Sequence, residues 1–488
     1  MNSIKSIFFA SMMALSAGHV GAEVVSYVDT SLDGSEKFVL RIDDKPFYMT
    51  NVQLRLDKMA GYLDWPDEAL EAVVKQAATD GFNTVSIPVL WIDIEPEKNR
   101  FDWAVLDKYM GWCKKYGLKM ELLWFSWSSG GRIQWSDNSP LKPQKSIRVP
   151  DYVCTKEGTS EYKILRTTDP WTLDWYDTAL RERETAVVAE MMAHVAEWDK
   201  AQGNPHTVIG IQMGNEATGH EQEVPAEHIV DYYHDVASAV KNSDYKIWTR
   251  LNCIIWQNRS RIEANEAKKL TPGGSNIDFV GCDVYGTDAD RIFGDVGGHH
   301  PTIGTNYDMI MEIDAKDSRT PIYQLSALAG NKAFDYYNYG PVDGNELYTA
   351  EKGSTTLVPH NHIGDVRSRN TILNLANQDI ATNAQGKGLY VYNYAGLAMP
   401  VEEIGLLGIT HKPEHGRAQA IAVKHSLNEV ILLATDGGTF TLPKSMIVKS
   451  VEVGYCDDEN RWVTSSVISV KDKTVQVPAA SAVKITFK

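Results

Sequence analysis

Residues 207–219 read TVIGIQMGNEATG and place an asparagine and a glutamate at the end of an apolar run. The run 208–213 is short, rich in β-branched residues and followed by a polar loop, which is typical of a buried strand. A carboxylate directly after a buried strand has to be solvated or bonded by partners. Glu216 is therefore a candidate functional residue, and the rest of the chain decides what kind of site surrounds it.

Seven further apolar runs of this kind occur between residues 38 and 394, and segments with a helical period lie between them. The eight predicted strands are 47–53, 84–91, 119–125, 208–213, 246–252, 279–284, 321–325 and 388–392. Near-continuous apolar strands that alternate with helices indicate a parallel sheet buried on both faces. No glycine-rich phosphate-binding turn follows the first strand, so the pattern favours a (β/α)8 TIM barrel over a doubly wound sheet.

The first 22 residues have the pattern of a secretory signal peptide. Lys5 precedes an apolar run at 7–17, and small residues follow as far as Ala22. The run is shorter than the roughly 20 apolar residues that a membrane-spanning helix needs. We therefore expect no membrane span, cleavage before Glu23, and export to the periplasm or the extracellular medium.

The pattern changes after about residue 405. Short alternating apolar runs separated by turn residues predict a C-terminal antiparallel β-domain, and its length suits a small β-sandwich. We therefore divide the chain into a signal peptide at 1–22, an N-terminal segment at 23–37, a barrel at 38–405 and a β-sandwich domain at 406–488.

The composition excludes one class of partner. The 488 residues carry a net charge of -16, whereas a nucleic-acid-binding protein needs a basic surface. The five cysteines are scattered without C-x-x-C spacing, and no metal ligands cluster along the chain. We expect no metal and no cofactor, and the sequence does not indicate an oligomeric state.

Polar and aromatic residues follow most of the predicted strands, at the end where a TIM barrel carries its active site. They are Gln53, Arg55, Trp91, Trp124, Trp127, Asn215, Glu216, Asn252, Asp283, Tyr285 and Asn393. Aromatic faces stack on the C–H face of a pyranose, and amides and acids bond its hydroxyls. A single tryptophan is more often a core residue, but the whole set, with Trp135, Trp171 and Trp175 in loops, indicates a carbohydrate site.

Four segments resemble glycoside hydrolase clan A, families 35 and 42, which are β-galactosidase-like. They are 88–103 (PVLWIDIEPEKNRFDW), 118–125 (LKMELLWF), 211–216 (IQMGNE) and 279–286 (FVGCDVYG), and they are similar to the second, third, fourth and sixth strands of that clan. The resemblance spans most of residues 38–405. It implies that Glu216 is the general acid/base and that Asn215 contacts the substrate 2-hydroxyl.

The second carboxylate is absent from the position that the resemblance implies. In retaining enzymes the nucleophile lies about 5–5.5 Å from the acid/base, and in clan A it is a glutamate at the end of the seventh strand. Counting from Pro321 places Ser326 in this nucleophile slot, next to Tyr323 as a substrate-binding residue. Three explanations remain open. The nucleophile has been replaced, another carboxylate such as Asp283, Asp335 or Glu346 serves, or the seventh strand is placed wrongly.

The leading hypothesis is a secreted glycoside hydrolase that acts from chain ends on β-linked galactose-containing poly- or oligosaccharides, such as plant or algal galactans. Long predicted segments at 128–174 and 330–365 favour a closed pocket and therefore chain-end attack. The alternative is a catalytically silent glycan-binding barrel with Ser326 in place of a nucleophile. A lyase or transglycosidase is a third interpretation.

Overall fold

Eight parallel strands form a closed barrel in the computed structural model of the protein. In chain order they are β1 (Asn51–Gln53), β2 (Thr84–Leu90), β3 (Lys119–Phe125), β4 (Val208–Asn215), β5 (Trp248–Ile254), β6 (Phe279–Asp283), β7 (Met309–Glu312) and β8 (Ala333–Tyr336). Each strand pairs with the next one along the chain, and β8 pairs with β1. This strand order confirms the predicted (β/α)8 TIM barrel.

The structure describes most of the chain outside several segments. The described residues are 22–30, 38–128, 149–155, 157–166, 172–216, 224–254, 258–285, 306–330, 333–342, 344–384, 387–393, 402–413 and 415–488. The predicted signal peptide at 1–22 lies outside them except for its last residue.

Helices cover the outer face of the barrel. They are Leu56–Leu63, Asp67–Thr79, Trp91–Ile94, Ala104–Lys115, Thr178–Ala201, Ala226–Asn242, Asn258–Lys269, Thr320–Ala329, Ile363–Leu375 and Asn377–Asn383. The outward side chains of β2, Val85, Ile87 and Val89, pack with the apolar faces of these helices in one large core. Every residue of β2 is buried, which explains its continuous apolar sequence.

A small antiparallel sheet closes one end of the barrel. Its three strands are Ser26–Asp29, Val39–Ile42 and Lys45–Pro46. Phe38 and Leu40 pack against Trp248, Phe279 and Met309, the first residues of β5, β6 and β7. The start of the strands is therefore sealed. We call the opposite end, where the strands finish, the open end.

A polar layer crosses the barrel interior next to the apolar cluster that seals the start of the strands. Arg250 on β5 bonds the buried carboxylate of Glu121 on β3 through Nε at 2.7 Å and a terminal nitrogen at 2.5 Å. Ser86 and Trp248 also donate to Glu121, at 3.0 and 3.1 Å. Asp335 on β8 lies 3.9 Å from the same guanidinium. These bonds compensate the charges of Glu121 and Arg250 inside the barrel.

We expect Arg250→Met to lower the free energy of unfolding by about 3–5 kcal/mol, because it leaves Glu121 charged and buried without its partner. Urea unfolding of the purified variants measures the loss. Arg100→Met is the matched control, since Arg100 pairs with Glu97 on the surface with both side chains 70% exposed, and its loss should stay below about 1 kcal/mol. Equal losses in the two variants would contradict the role assigned to Arg250.

The C-terminal region is an eight-stranded antiparallel sheet. Its strands are β9 (Leu389–Tyr392), β10 (Glu403–Ile404), β11 (Thr410–Lys412), β12 (Ala420–Ser426), β13 (Glu429–Thr441), β14 (Val448–Cys456), β15 (Trp462–Val467) and β16 (Thr474–Phe487). Ala422 and Leu432 face an apolar cluster within the sheet region, whereas Ile421 and Leu433 pack on the barrel helices with Leu325. The predicted antiparallel C-terminal region is confirmed.

Further short strands lie outside the two main sheets. Glu23–Val24 pairs with Tyr245–Lys246, Ile164–Arg166 with Thr172–Leu173, and Tyr348–Ala350 with Leu357–Pro359. In the described ranges, no helix combines the length and apolar content needed to cross a membrane. All five cysteines fall in these ranges, and none of them forms a disulfide.

The predicted seventh strand, 321–325, is wrong because these residues lie in the helix Thr320–Ala329. Pro321 occupies its first turn, where the missing N–H costs nothing. Every residue from Thr320 to Leu328 is buried, so the segment has no exposed polar face and its period does not separate helix from strand. The seventh strand of the barrel is β7.

The predicted eighth strand, 388–392, is also wrong. It corresponds to β9, which pairs antiparallel with β12 in the C-terminal sheet. The eighth barrel strand is β8, which has only four residues and lies within the long segment predicted at 330–365. The domain boundary placed at residue 405 stays a prediction, although β9 already belongs to the sheet that follows it.

Candidate active site

Glu216 directly follows the last residue of β4 at the open end of the barrel. Its backbone N–H donates to the carbonyl of Asn252 at 3.0 Å, and its side chain is half-buried. Its φ of 42° lies in the left-handed region, which a non-glycine residue adopts only when its surroundings hold it there. Glu216 is thus a constrained strand-end carboxylate rather than a residue of a loose solvent-exposed loop.

A second glutamate, Glu312, ends β7 in the same way. Asp283 on β6 is its neighbour in the ladder, and the register of the two strands shifts at this point. Met311 packs in the apolar cluster at the closed end, while Glu312, the next residue, contacts the polar residues at the open end. The register shift breaks the strict alternation of side chains along β7.

Three donors bind the Glu312 carboxyl group. Gln53 Nε2 and Asn252 Nδ2 each donate to Oε1 at 3.3 Å, and the Tyr285 hydroxyl donates to Oε2. Burial and then the nearby charge of Glu216 raise the pKa of Glu312 to about 7, against the opposing effect of the hydrogen bonds from Tyr285 and Gln53. Gln53 lies on β1, Asn252 on β5, and Tyr285 is the second residue after β6, so residues from three parts of the barrel hold this one side chain.

Asp283 places a third carboxyl group in the site. It is buried, and its carboxyl group lies beside that of Glu216. Burial, Glu312 and Glu216 raise the pKa of Asp283 well above its ordinary range. We infer that Asp283 keeps its proton at neutral pH, because three adjacent anions would repel one another.

Asn215 is held in a chain of amides. Its Oδ1 accepts from Gln212 Nε2 at 3.0 Å and from Asn252 Nδ2 at 3.0 Å. Because the oxygen accepts both bonds, the NH2 group of Asn215 remains as the donor for a ligand. This orientation fits the predicted contact with a substrate hydroxyl.

Arg55 lies at the edge of the site and affects it through charge. It forms two bonds to Asp57, at 2.9 and 2.7 Å, and its guanidinium lies 5.2 Å from the centre of the Phe125 ring. Its positive charge lowers the pKa of Glu312, in opposition to the larger effects of burial and Glu216. The structure therefore brings together Gln53, Arg55, Asn215, Glu216, Asn252, Asp283 and Tyr285 of the predicted site.

The three predicted tryptophan platforms are wrong. Trp91, Trp124 and Trp127 are fully buried, and their indole N–H groups donate to Glu95, Glu184 and Tyr232 at 3.2, 2.8 and 3.0 Å. Successive side chains of β3 point to opposite faces. Trp124 faces the helices, whereas its neighbours Leu123 and Phe125 face the barrel interior. Trp175 is likewise buried, and Trp135 and Trp171 lie outside the described residues.

Ser326, Tyr323 and Asn393 do not belong to the site. Ser326 is buried in the helix Thr320–Ala329, where its hydroxyl donates to the Ile322 carbonyl at 3.1 Å. Asn393 donates to Ser326 at 3.0 Å and accepts from Gln419 at 2.8 Å, next to the C-terminal sheet. Tyr323 packs in the core of the barrel. The nucleophile slot assigned to Ser326 was wrong because the seventh strand was placed wrongly.

Glu312 is the residue that sequence reasoning missed. Residues 309–312 read MIME, an apolar run that ends in glutamate, as the run before Glu216 does. The run is only four residues long, so it carries a weak strand signal. Of the alternatives considered, Asp335 lies in the polar layer below, near Arg250.

Residues 62–125 match the model of glycoside hydrolase family 42, described as β-galactosidase. This segment resembles family 42. It runs from the end of the first barrel helix to the end of β3 and includes two of the segments that carry the resemblance stated above. The match covers this segment alone, and there it supports the resemblance to clan A glycoside hydrolases. Comparison of the sequence with curated proteins gives no match.

Solved structures with a similar fold include three carbohydrate-active enzymes. The exo-β-1,4-mannosidase Op5Man5 from Opitutaceae bacterium strain TAV5 is 15% identical, with a TM-score of 0.48, and the alignment covers 67% of this chain and 59% of that one. The family 30 subfamily 8 xylanase Xyn30A from Clostridium acetobutylicum is 11% identical, with a TM-score of 0.47 and coverages of 90% and 95%. Endo-glycoceramidase II from Rhodococcus sp. is 14% identical, with a TM-score of 0.47 and coverages of 93% and 99%. The chain thus spans 59% of the mannosidase's length, and the three names state different activities.

We expect the free energy of unfolding to fall as the pH rises from about 4.5 to about 7. The Glu312 carboxyl has an ordinary pKa of 4.5 and a folded pKa of about 7. Between these values the folded chain binds a proton that the unfolded chain has lost, so this stabilisation is present at low pH and disappears above the folded pKa. Asp283 acts in the same direction. Urea unfolding across this pH range measures the slope.

Glu312→Gln should make this slope smaller, because the amide does not titrate. Glu227→Gln is the matched control, since Glu227 is exposed on the helix Ala226–Asn242, and it should leave the slope unchanged. A Glu312→Gln variant with the slope of the parent protein would contradict the assignment of the titration to Glu312.

Proposed function

We propose that the protein is a retaining glycoside hydrolase, with Glu216 as the general acid/base and Glu312 as the nucleophile. The observation that carries the proposal is the position of Glu312. It ends β7 at the open end of the barrel, in the electrostatic field of Glu216, and three donors hold its carboxyl group. Glu312 attacks in its ionised form, which its donors favour against the burial that raises its pKa, and a strand-end glutamate next to a second carboxyl is suited to exchange a proton.

The reaction follows from the two carboxyl groups. Glu312 attacks the anomeric carbon while the glycosidic C–O bond breaks, and Glu216 gives its proton to the departing oxygen. This step leaves a covalent glycosyl ester on Glu312. Glu216, now ionised, takes a proton from water as the water oxygen attacks the same carbon and releases Glu312. The two displacements together retain the anomeric configuration.

Asp283 is a positioning residue in this scheme. Its carboxyl group lies beside that of Glu216, and Asp283 pairs with Glu312 in the ladder. A protonated Asp283 adds no third negative charge beside the developing ester. The proton on Asp283 also stays close to Glu216 in the ligand-free site.

The acceptors of the site suit a sugar. The side-chain oxygens Gln53 Oε1, Gln212 Oε1 and Asn252 Oδ1 are buried and have no hydrogen-bond partner within the described part of the chain. Buried acceptors are normally satisfied, and sugar hydroxyls are donors of the right kind. The family 42 segment supports β-linked galactosides as the substrate class, and we propose exo-acting cleavage of galactose-containing poly- or oligosaccharides.

A panel of 4-nitrophenyl β-glycosides tests the proposal. We expect release of nitrophenol from the galactoside, and proton NMR of the first product should show the β-anomer before mutarotation. Turnover of the mannoside or xyloside in place of the galactoside would keep the enzyme class and replace the substrate. An α-anomer as first product would overturn the retaining mechanism.

The second candidate function is a glycan-binding protein without turnover. It is favoured only if galactan oligosaccharides bind measurably, for example by calorimetry, while no substrate of the panel or of the oligosaccharide set is cleaved. The two carboxylates at the strand ends weaken this candidate. It depends on a serine in place of the nucleophile, and Ser326 instead lies in a helix away from the site.

We also propose that the protein is exported. The support is the pattern of Lys5, the apolar run at 7–17 and the small residues before Ala22. N-terminal sequencing of the protein recovered from the periplasm of a Gram-negative host should begin near Glu23. A chain that keeps its first residues and stays in the cytoplasm would contradict export.

A further inference from the structure

Asp379, His425 and Cys456 meet far from the barrel mouth, where the helix Asn377–Asn383 packs against the C-terminal sheet. Asp379 lies on that helix, His425 near the end of β12, and Cys456 is the last residue of β14. One ligand atom from each residue lies within 4.8 Å of the other two. The three residues are far apart in the sequence, so no local spacing indicates them as metal ligands.

The distances are close to those of a tetrahedral metal site. Cys456 Sγ lies 3.7 Å from Asp379 Oδ2, and His425 Nδ1 lies 2.7 Å from the same oxygen. A tetrahedral Zn²⁺ with its usual bond lengths requires about 3.5 Å between sulfur and oxygen and about 3.3 Å between nitrogen and oxygen. A small withdrawal of the imidazole ring therefore converts the hydrogen-bonded arrangement into a ligand set.

Asn460 supplies a second feature that points to a ligand. Its Nδ2 donates to Asp379 Oδ1 at 2.9 Å and so orients the carboxylate. Its Oδ1 is buried and has no hydrogen-bond partner within the residues that the structure describes. A cavity of about 520 Å³ lined by Cys456 and Asn460 adjoins the cluster, which gives an ion access and leaves room for a water as the fourth ligand.

The charges also balance. A metal ligand has to be deprotonated, so binding removes the thiol proton and any proton on the imidazole. The two charges of the ion are then matched by the Cys456 thiolate and the Asp379 carboxylate. Thiolate and imidazole together select zinc over the hard cations calcium and magnesium, which take oxygen ligands.

We propose that Asp379, His425 and Cys456 form a zinc site that ties the helix Asn377–Asn383 to the C-terminal sheet. The fourth ligand is a water oriented by Asn460. The site is separate from the carboxylates at the barrel mouth, so the zinc proposal does not depend on the proposed hydrolysis.

Cobalt titration of the untagged, chelator-treated protein tests the proposal. Co²⁺ should bind with one equivalent per chain and give the visible absorption of a tetrahedral cobalt thiolate. Zn²⁺ should remove that absorption and raise Tm, because it binds the folded chain. Cys456→Ser and Asp379→Asn should each lose the absorption and the rise in Tm, while Cys154→Ser, a buried cysteine in the barrel region, should keep both.

Two results would overturn the proposal. One is the absence of any cobalt absorption in the folded parent protein, which would identify the cluster as a satisfied His–Asp pair with a thiol donor. The other is cobalt absorption that persists in Cys456→Ser and Asp379→Asn, since the thiolate would then come from elsewhere. Both variants are compared only after their metal-free Tm shows that they fold, and Asp379→Asn keeps the shape of the side chain.

Discussion

Glu312→Gln should lower kcat/KM for an aryl β-glycoside by about 10⁴-fold or more, because the amide cannot form the glycosyl ester. The variant keeps the size of the side chain and loses only its ability to ionise. The donors Gln53, Asn252 and Tyr285 then face a neutral group. Initial rates with nitrophenol release measure the loss, and circular dichroism confirms that the variant folds.

Ser326→Ala is the matched control, since counting from Pro321 assigns the nucleophile to this serine. Among the described residues, the hydroxyl bonds only within its helix and to Asn393. Activity should therefore stay close to that of the parent protein, with a loss of about 1 kcal/mol in unfolding free energy. Azide separates a nucleophile from a binding group. It should restore turnover of an activated substrate by Glu312→Ala and yield the α-glycosyl azide, because the small anion attacks from the vacated side. Full activity in Glu312→Gln together with loss in Ser326→Ala would reverse the assignment.

Glu216→Gln should lower kcat/KM by about 10²–10⁴-fold on substrates whose leaving group needs a proton, such as alkyl glycosides and oligosaccharides. The physical reason is that a sugar or alkoxide oxygen is a poor leaving group without general acid catalysis. On a 2,4-dinitrophenyl glycoside the loss of the first step should be much smaller, because that oxygen leaves as a stable anion. The ratio of the two losses measures general acid catalysis directly.

Asp283→Asn serves as the comparison for Glu216→Gln. Asp283 also lies beside the reacting groups, but in the proposed reaction it keeps its proton and does not pass it to the leaving group. Its variant should therefore lower the rates of activated and unactivated substrates by similar factors and shift the pH profile. A loss in Glu216→Gln that is equal for both leaving groups would remove Glu216 from the acid role.

Several features of the protein follow from local sequence alone. The alternation of apolar runs and amphipathic segments predicted the barrel, because a strand buried on both faces and a helix with one apolar face leave distinct patterns. The NE pair after 208–213 and the Asp283–Tyr285 segment were identified as strand ends, and the structure brings them together at the open end of the barrel. The antiparallel C-terminal region was likewise visible as short alternating runs.

Only the tertiary structure decided which segments are the seventh and eighth strands. β7 and β8 have four residues each, and the longer apolar segment 321–325 competes with them as a strand. Burial on every side removes the helical period from Thr320–Ala329, so the choice depends on closing the barrel and not on a local pattern. With 321–325 as the seventh strand, Ser326 falls in the position of the nucleophile and Glu312 falls outside the predicted strands.

The sequence pattern also does not predict which way a side chain points or which distant residues come into contact. Trp124 faces the helices because successive side chains of β3 alternate between the two faces, and a shift of one residue in the register would turn it inward. Asp379, His425 and Cys456 meet only because the helix Asn377–Asn383 docks on the C-terminal sheet. The sequence by itself determined the first six barrel strands and the carboxylate at 216. The tertiary structure decided its partner, because closing the barrel, rather than any local propensity, brings the ends of β4 and β7 to the same site.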